Sequence, residues 1–243
     1  MLKSVARSIA RPIARFVFRP TVIGRDLVPS RGPVLFASNH LSFIDSVAIT
    51  VIAPRDVRFL AKSDYFTRTG LKGAVSRGFF ESIGAIPVDR DSNTAAQDSL
   101  ERGLEVLQEG GAFAIYPEGT RSRDGRIYRG RTGVAWLGLT SGCSIVPVAL
   151  TGTQDIMPVD EKGMRVRPVT VQFGSPIDAS GYGDAASARS RRRLTDDVMA
   201  AIGTMSGQEP ANAYNEPPAT TVVERVKRVL HRNDPGYVAP GTE

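Results

Sequence analysis

The sequence predicts an α/β fold: a single domain with a largely parallel sheet flanked by helices, preceded by an N-terminal amphipathic helical segment. Three observations predict it. Short apolar runs alternate with longer stretches of helical periodicity from residue 21 onward. The hydrophobic fraction, 41% of 243 residues, is ample for one real core. Clusters carrying His, Asp or Arg directly follow apolar runs, at the strand ends where such folds place their chemistry.

Residues 1–19 contain no acid. At about 100° per residue, Leu2, Val5, Ile9, Ile13 and Phe16 share one face, and Lys3, Arg7, Arg11 and Arg15 the other. A basic face opposite an apolar one suits a helix lying in a lipid interface. Two other readings compete: a stripe packed on the domain, and an Arg-rich transit peptide. The arginines interrupt any continuous apolar core, which argues against a secretory signal. Pro12 predicts a kink or a restart.

Strands are predicted at 21–24, 34–38, 57–61, 84–88, 112–116, 145–150 and 166–173. Helices are predicted at 43–52, 72–80, 94–108, 132–141 and 185–204. The pattern is plainest at 94–108, where Ala95, Leu100, Leu104 and Leu107 recur at helical spacing and Gly110-Gly111 ends the run. Residues 207–220, rich in Pro, Asn and Ala, read as a linker or extended segment. A short amphipathic stretch follows at 222–232, with Thr221 and Glu224 spaced as a capping box. The organisation is therefore an amphipathic segment (1–19), a folded domain (20–206), and a linker, short helix and tail (207–243). No run approaches the ~18 apolar residues of a spanning helix, so the chain is not expected to cross a bilayer.

A net charge of +6 calls for an anionic partner: nucleic acid, an acidic membrane surface or a phosphorylated substrate. Aromatics make up 7% of the chain, and no basic cluster interleaves with them as a base-stacking platform would, which turns the reading away from nucleic acid. The single cysteine, Cys143, excludes an intramolecular disulfide and a cysteine metal site. It fits a reducing compartment. No cluster of ligand residues calls for a metal.

Three stretches carry candidate chemistry. The first is Asn39-His40-Leu41-Ser42-Phe43-Ile44-Asp45, which holds one of only two histidines. A neutral imidazole can take the proton of an alcohol attacking a carbonyl, and a carboxylate on its other nitrogen would fix the tautomer. His40 and Asp45 can meet if His40 precedes the helix and Asp45 lies in its first turn. The competing reading is structural: Ser42-x-x-Asp45 resembles a capping box, which alone would explain the residues. The second stretch, Tyr116-Pro117-Glu118-Gly119-Thr120-Arg121-Ser122, ends another apolar run. Arg121 offers a planar fork for phosphate or carboxylate, and Gly119 allows close backbone approach. A solvated basic loop is the alternative. The third is Gly84 to Arg90. Arg90 here, and Lys62 after the run 57–61, are basic groups at strand ends that would equally serve as ordinary surface charges.

Together these blocks resemble the 1-acylglycerol-3-phosphate (lysophosphatidate) acyltransferase family of glycerolipid acyltransferases. Its Asn-His-x4-Asp corresponds to residues 39–45, its Gly-x-Ile-x-x-x-Arg to 84–90, its Glu-Gly-Thr-Arg-Ser to 118–122, and its Val-Pro-Val to 146–148. Order and spacing agree over residues 21–175. Where the family often has Phe-Lys-x-Gly, this chain has Gly130-Arg131-Thr132-Gly133, which keeps the charge and drops the aromatic. The resemblance implies an enzyme that moves a fatty acyl chain from a thioester, acyl-CoA or acyl carrier protein, to lysophosphatidate, giving phosphatidate. It implies His40 and Asp45 as the catalytic pair. Glu118, Gly119, Thr120 and Arg121 would form the substrate-binding block, supported by Arg90, Lys62 and Arg131. Glu118, itself an anion, is assigned to positioning Arg121 or the loop. The implied partners are the thioester co-substrate and an anionic membrane surface. No metal or other cofactor is expected. The implied location is peripheral, on the cytoplasmic face of a cell membrane; separately, the high Arg-to-Lys ratio and frequent alanine point to a GC-rich bacterial genome.

Overall fold

A computed structural model describes residues 20–89, 94–158 and 163–216. The predicted alternation appears in order: β1 (Thr21–Ile23), β2 (Val34–Ser38), α1 (Ile44–Ile52), β3 (Val57–Lys62), α2 (Asp64–Thr67), α3 (Gly70–Ser82), β4 (Ala85–Val88) and α4 (Ala95–Gln108). It continues through β5 (Ala112–Ile115), β6 (Ile127–Arg129), α5 (Gly133–Ser141), β7 (Ser144–Thr151), α6 (Thr153–Ile156), β8 (Thr170–Phe173), β9 (Ile177–Asp178), α7 (Ala188–Ser206) and β10 (Pro210–Tyr214).

Eight strands form one sheet in the order β1-β8-β7-β2-β5-β3-β4, with β9 pairing β7. The pairs made by β2 with β5 and β7, and by β3 with β4 and β5, are parallel, as is β1 with β8. Only β8 and β9 run antiparallel to β7. All five residues of β2 are buried, as expected for a central parallel strand covered on both faces. Its side chains alternate. Val34 and Phe36 join Ile49, Phe59, Phe80 and Phe173 in one core layer, while Leu35 and Ala37 join Phe113, Leu137, Ile145 and Leu194 in the other. Helix α1 thus covers one face and α5 the other. Chain segments leaving β2 and β5 diverge to opposite faces, which opens a crevice at the carboxyl ends of these two strands. Helix α4 packs closely on β5: a Cβ at Gly103 would lie 2.7 Å from the Phe113 ring.

One expectation needs correction: the run at 166–173 forms a strand only over Thr170–Phe173. Within the segment read as linker or extended, β10 pairs in parallel with β6 through an irregular register. The sequence Pro-Ala-Asn-Ala-Tyr lacks an apolar alternation, so this pairing is imposed by tertiary contacts. The folded domain therefore takes in β10, beyond the expected boundary at 206. The amphipathic segment 1–19, Arg90, and the second amphipathic stretch at 222–232 lie outside the described residues.

Candidate active site

Asn39 follows strand β2, and its buried side chain imitates a further residue of the sheet. Its Oδ1 accepts from the Leu150 N–H at 2.8 Å, and its Nδ2 donates to the Leu150 carbonyl at 2.9 Å and to Gln208 Oε1 at 2.7 Å. The chain is thereby fixed just before His40.

His40 Nδ1 lies 2.8 Å from Asp45 Oδ2. That same oxygen accepts the N–H groups of Leu41 at 2.6 Å and Ser42 at 2.8 Å. Asp45 is fully buried, and its Oδ1 has no hydrogen-bond partner among the described residues. His40 retains 15% side-chain exposure. With Asp45 on Nδ1, the neutral tautomer carries its proton there and leaves the Nε2 lone pair as the base. The imidazole stacks on Tyr116, with ring centroids 3.9 Å apart and planes 13° from parallel. Tyr116 is tied by its hydroxyl to Ser46 Oγ at 2.7 Å. Ser42 is no nucleophile poised for attack: its hydroxyl donates to the Met157 carbonyl at 2.8 Å.

The loop after β5 holds His40 from the other side. Glu118 is completely buried; its Oε1 accepts the His40 N–H at 3.0 Å and its Oε2 the Tyr128 N–H at 2.9 Å. Burial pushes its carboxyl up to about 7, against the two backbone bonds, and the Asp45 charge adds to the rise. Four residues on, the Ser122 N–H donates to the His40 carbonyl at 2.7 Å. Both backbone polar groups of His40 are therefore bonded to the 118–122 loop.

The expected substrate-binding set divides accordingly. Glu118 takes the loop-positioning role of the two assigned to it: its oxygens accept the His40 and Tyr128 N–H groups inside the protein. Gly119, at φ +80°, is packed under Arg131, where a Cβ would lie 2.9 Å from Nε. The Thr120 carbonyl accepts from Asn215 Nδ2 at 3.0 Å. Arg121, half-buried beside Ser122, makes no hydrogen bond or ion pair among the described residues. Arg131 donates to the Asn215 carbonyl at 3.3 Å and sits 5.8 Å from the Tyr214 ring centre, so it clasps the segment after β10. Lys62 ends β3 and pairs with Asp64 at 3.2 Å. It stands two strands from β2, roughly 10 Å away at ordinary strand spacing. Tyr116 lay within the highlighted second block, but neither its stacking nor its bond to Ser46 was foreseen. Gln208 and Asn215 carried no sequence signal at all.

An imidazole held by a buried carboxylate beside a basic loop, at the carboxyl end of a strand in an α/β sheet, suits general-base chemistry. The acyltransferase family model matches residues 19–151, and the chain belongs to that family. A chloroplastic 1-acyl-sn-glycerol-3-phosphate acyltransferase of Arabidopsis thaliana is 30% identical over 148 residues, which cover 60% of this chain and 40% of that protein. The chain thus spans less than half the length of this plant relative. A Bacillus subtilis 1-acyl-sn-glycerol-3-phosphate acyltransferase is 24% identical over 177 residues, covering 72% of this chain and 82% of that protein. The crystal structure of the 1-acyl-sn-glycerophosphate acyltransferase PlsC of Thermotoga maritima shares the fold, with a TM-score of 0.60 at 19% identity over 83% of this chain and 82% of that one.

Proposed function

We propose that this chain transfers a fatty acyl group from a thioester to the free hydroxyl of 1-acylglycerol 3-phosphate, giving phosphatidate. His40 Nε2 takes the hydroxyl proton as the oxygen attacks the thioester carbonyl. The tetrahedral intermediate collapses, the C–S bond breaks, and the imidazolium returns the proton to the departing thiolate. Asp45 stabilises the imidazolium without taking its proton. General-base action contributes about 10²–10⁴-fold, so positioning and charge stabilisation supply the remainder. Arg121 binds the acceptor phosphate as a planar fork. The donor is acyl-CoA or acyl carrier protein, and the enzyme works at the cytoplasmic face of a membrane.

One observation carries this reading. The Ser122 N–H bonds the His40 carbonyl at 2.7 Å, which joins the base and the candidate phosphate ligand in one rigid unit. A panel of lysophosphatidate, glycerol 3-phosphate and other lysophospholipids with one labelled acyl thioester tests it. Lysophosphatidate is expected to turn over fastest, His40→Ala to abolish turnover, and Arg121→Ala to raise KM. Preference for an acceptor without phosphate, or an Arg121→Ala effect confined to kcat, would refute the assignment.

A further inference from the structure

Helix α3 buries Phe80 and Gly73 against the domain, yet its outer face is apolar. Leu71, Val75 and Phe79, at i, i+4 and i+8, are 82%, 66% and 44% exposed. Residues at this spacing form one stripe. Exposed Arg68, Lys72 and Arg77 flank it, and the one acid of the helix, Glu81, stands at its far end. Helix α3 follows β3 and precedes the parallel strand β4, so it runs back along the sheet and its start lies at the catalytic edge. The most exposed member, Leu71, is the one closest to that edge.

The opposite end of the sheet repeats the pattern. Thr21 pairs with Thr170, and Thr170 with Thr151 at the carboxyl end of β7. Because β1 runs antiparallel to β7, residue 20 also lies at the catalytic edge. The acid-free, basic and apolar sequence 1–19 joins the domain there. Next to it, the Thr21 N–H bonds the Val169 carbonyl, close to Met164 and Val166, which are 59% and 63% exposed. Exposed Arg167 belongs to the same stretch. Strand β2, which carries His40, is three steps from β1 and three from β4. At ordinary strand spacing this is about 14 Å each way.

We propose that the Leu71–Val75–Phe79 face of α3 docks on an anionic lipid surface. With the exposed Met164, Val166 and Arg167 beside β1, it gives two contacts that bracket His40 and set the catalytic edge against the bilayer. The inference rests on the acyl-transfer reading only in taking lipid as the substrate that must arrive at this edge. Charge complementarity selects the occupant: residues 1–19 hold no acid, so covering α3 with them would set cations against Arg68, Lys72 and Arg77. Phosphate headgroups would instead neutralise both basic regions while the apolar stripe enters the acyl boundary.

The test is co-sedimentation of the full chain with phosphatidylglycerol–phosphatidylcholine vesicles. Leu71→Ser with Val75→Ser alters only exposed side chains and should lower the partition coefficient about tenfold or more. Lys72→Glu with Arg77→Glu should weaken binding most at low salt. Turnover of water-soluble short-chain donor and acceptor should match the wild type in both variants. Unchanged partition of the serine variant overturns the proposal. Self-association of the wild type that the serine variant abolishes also overturns it, by assigning the face to a second copy. Failure of the wild type to turn over any soluble acceptor refutes acyl transfer and leaves the vesicle result standing on its own.

Discussion

Glu118→Gln separates the electrostatic role of this carboxyl from its hydrogen bonds. In the folded protein the group titrates near 7, against an ordinary value of 4.5, chiefly because burial disfavours its charge. The unfolded chain therefore releases this proton first as pH rises. The group's contribution to stability is fully present below about 4.5 and is lost as pH climbs through about 7. At ~1.4 kcal/mol per pH unit, the loss between pH 4.5 and 8 is about 3 kcal/mol. Glutamine cannot titrate, so it removes this slope.

Glutamine also offers a single acceptor oxygen to the two N–H groups of His40 and Tyr128. One buried donor is left facing an amide NH₂, at a pH-independent cost of about 1–3 kcal/mol. The level of stability is thus a poor diagnostic, because at high pH the two effects offset. The slope is a good one. Urea unfolding of both proteins at intervals from pH 4.5 to 8 should give curves that converge as pH rises, with the wild type losing about 3 kcal/mol more than the variant. Parallel curves would show that Glu118 is ionised throughout, and the burial argument would fail.

Asp45→Asn keeps an acceptor for the Leu41 and Ser42 N–H groups and removes the charge that stabilises imidazolium. Turnover should fall about 10²–10⁴-fold with a small change in melting temperature; turnover within a few-fold of wild type would reassign Asp45 to capping alone. Asn39→Ala strands the buried N–H and C=O of Leu150, at a cost of about 2–4 kcal/mol in denaturant unfolding. Faster hydrogen exchange at the Leu150 amide should accompany it, and unaltered exchange would contradict the assigned bond.

Much of this architecture was legible in the sequence because it is written in local periodicity. Strand β2 reads as a wholly apolar run because both its faces are covered, and α4 shows its helical repeat and its Gly110-Gly111 stop. The pairing of β6 with β10 was not legible. Neither strand has a pattern of its own; they are held by Gln208, Asn215 and Arg131, whose partners lie 83 to 169 residues away. In the site, scarcity of histidine and the position of both blocks at strand ends were enough to single out His40 and the 118–122 loop. Charge alone did not place Glu118 or Arg131, since a sequence shows that a group is ionisable and not which way it faces.

Local sequence offered capping and catalysis as rival accounts of residues 42–45, and the geometry removes the rivalry. One oxygen, Asp45 Oδ2, takes the Leu41 and Ser42 N–H groups and His40 Nδ1 together. The two backbone bonds fix the carboxylate in the first turn of α1. An immobile carboxylate is also what the proposed base needs beside its imidazole: it would hold the tautomer before the reaction and the charge during it, with little reorganisation. The bonds that hold the turn before α1 are therefore also the ones that would preorganise the proposed base. The i, i+5 separation follows, because His40 must stand outside the helix for the Asp45 oxygen to reach it.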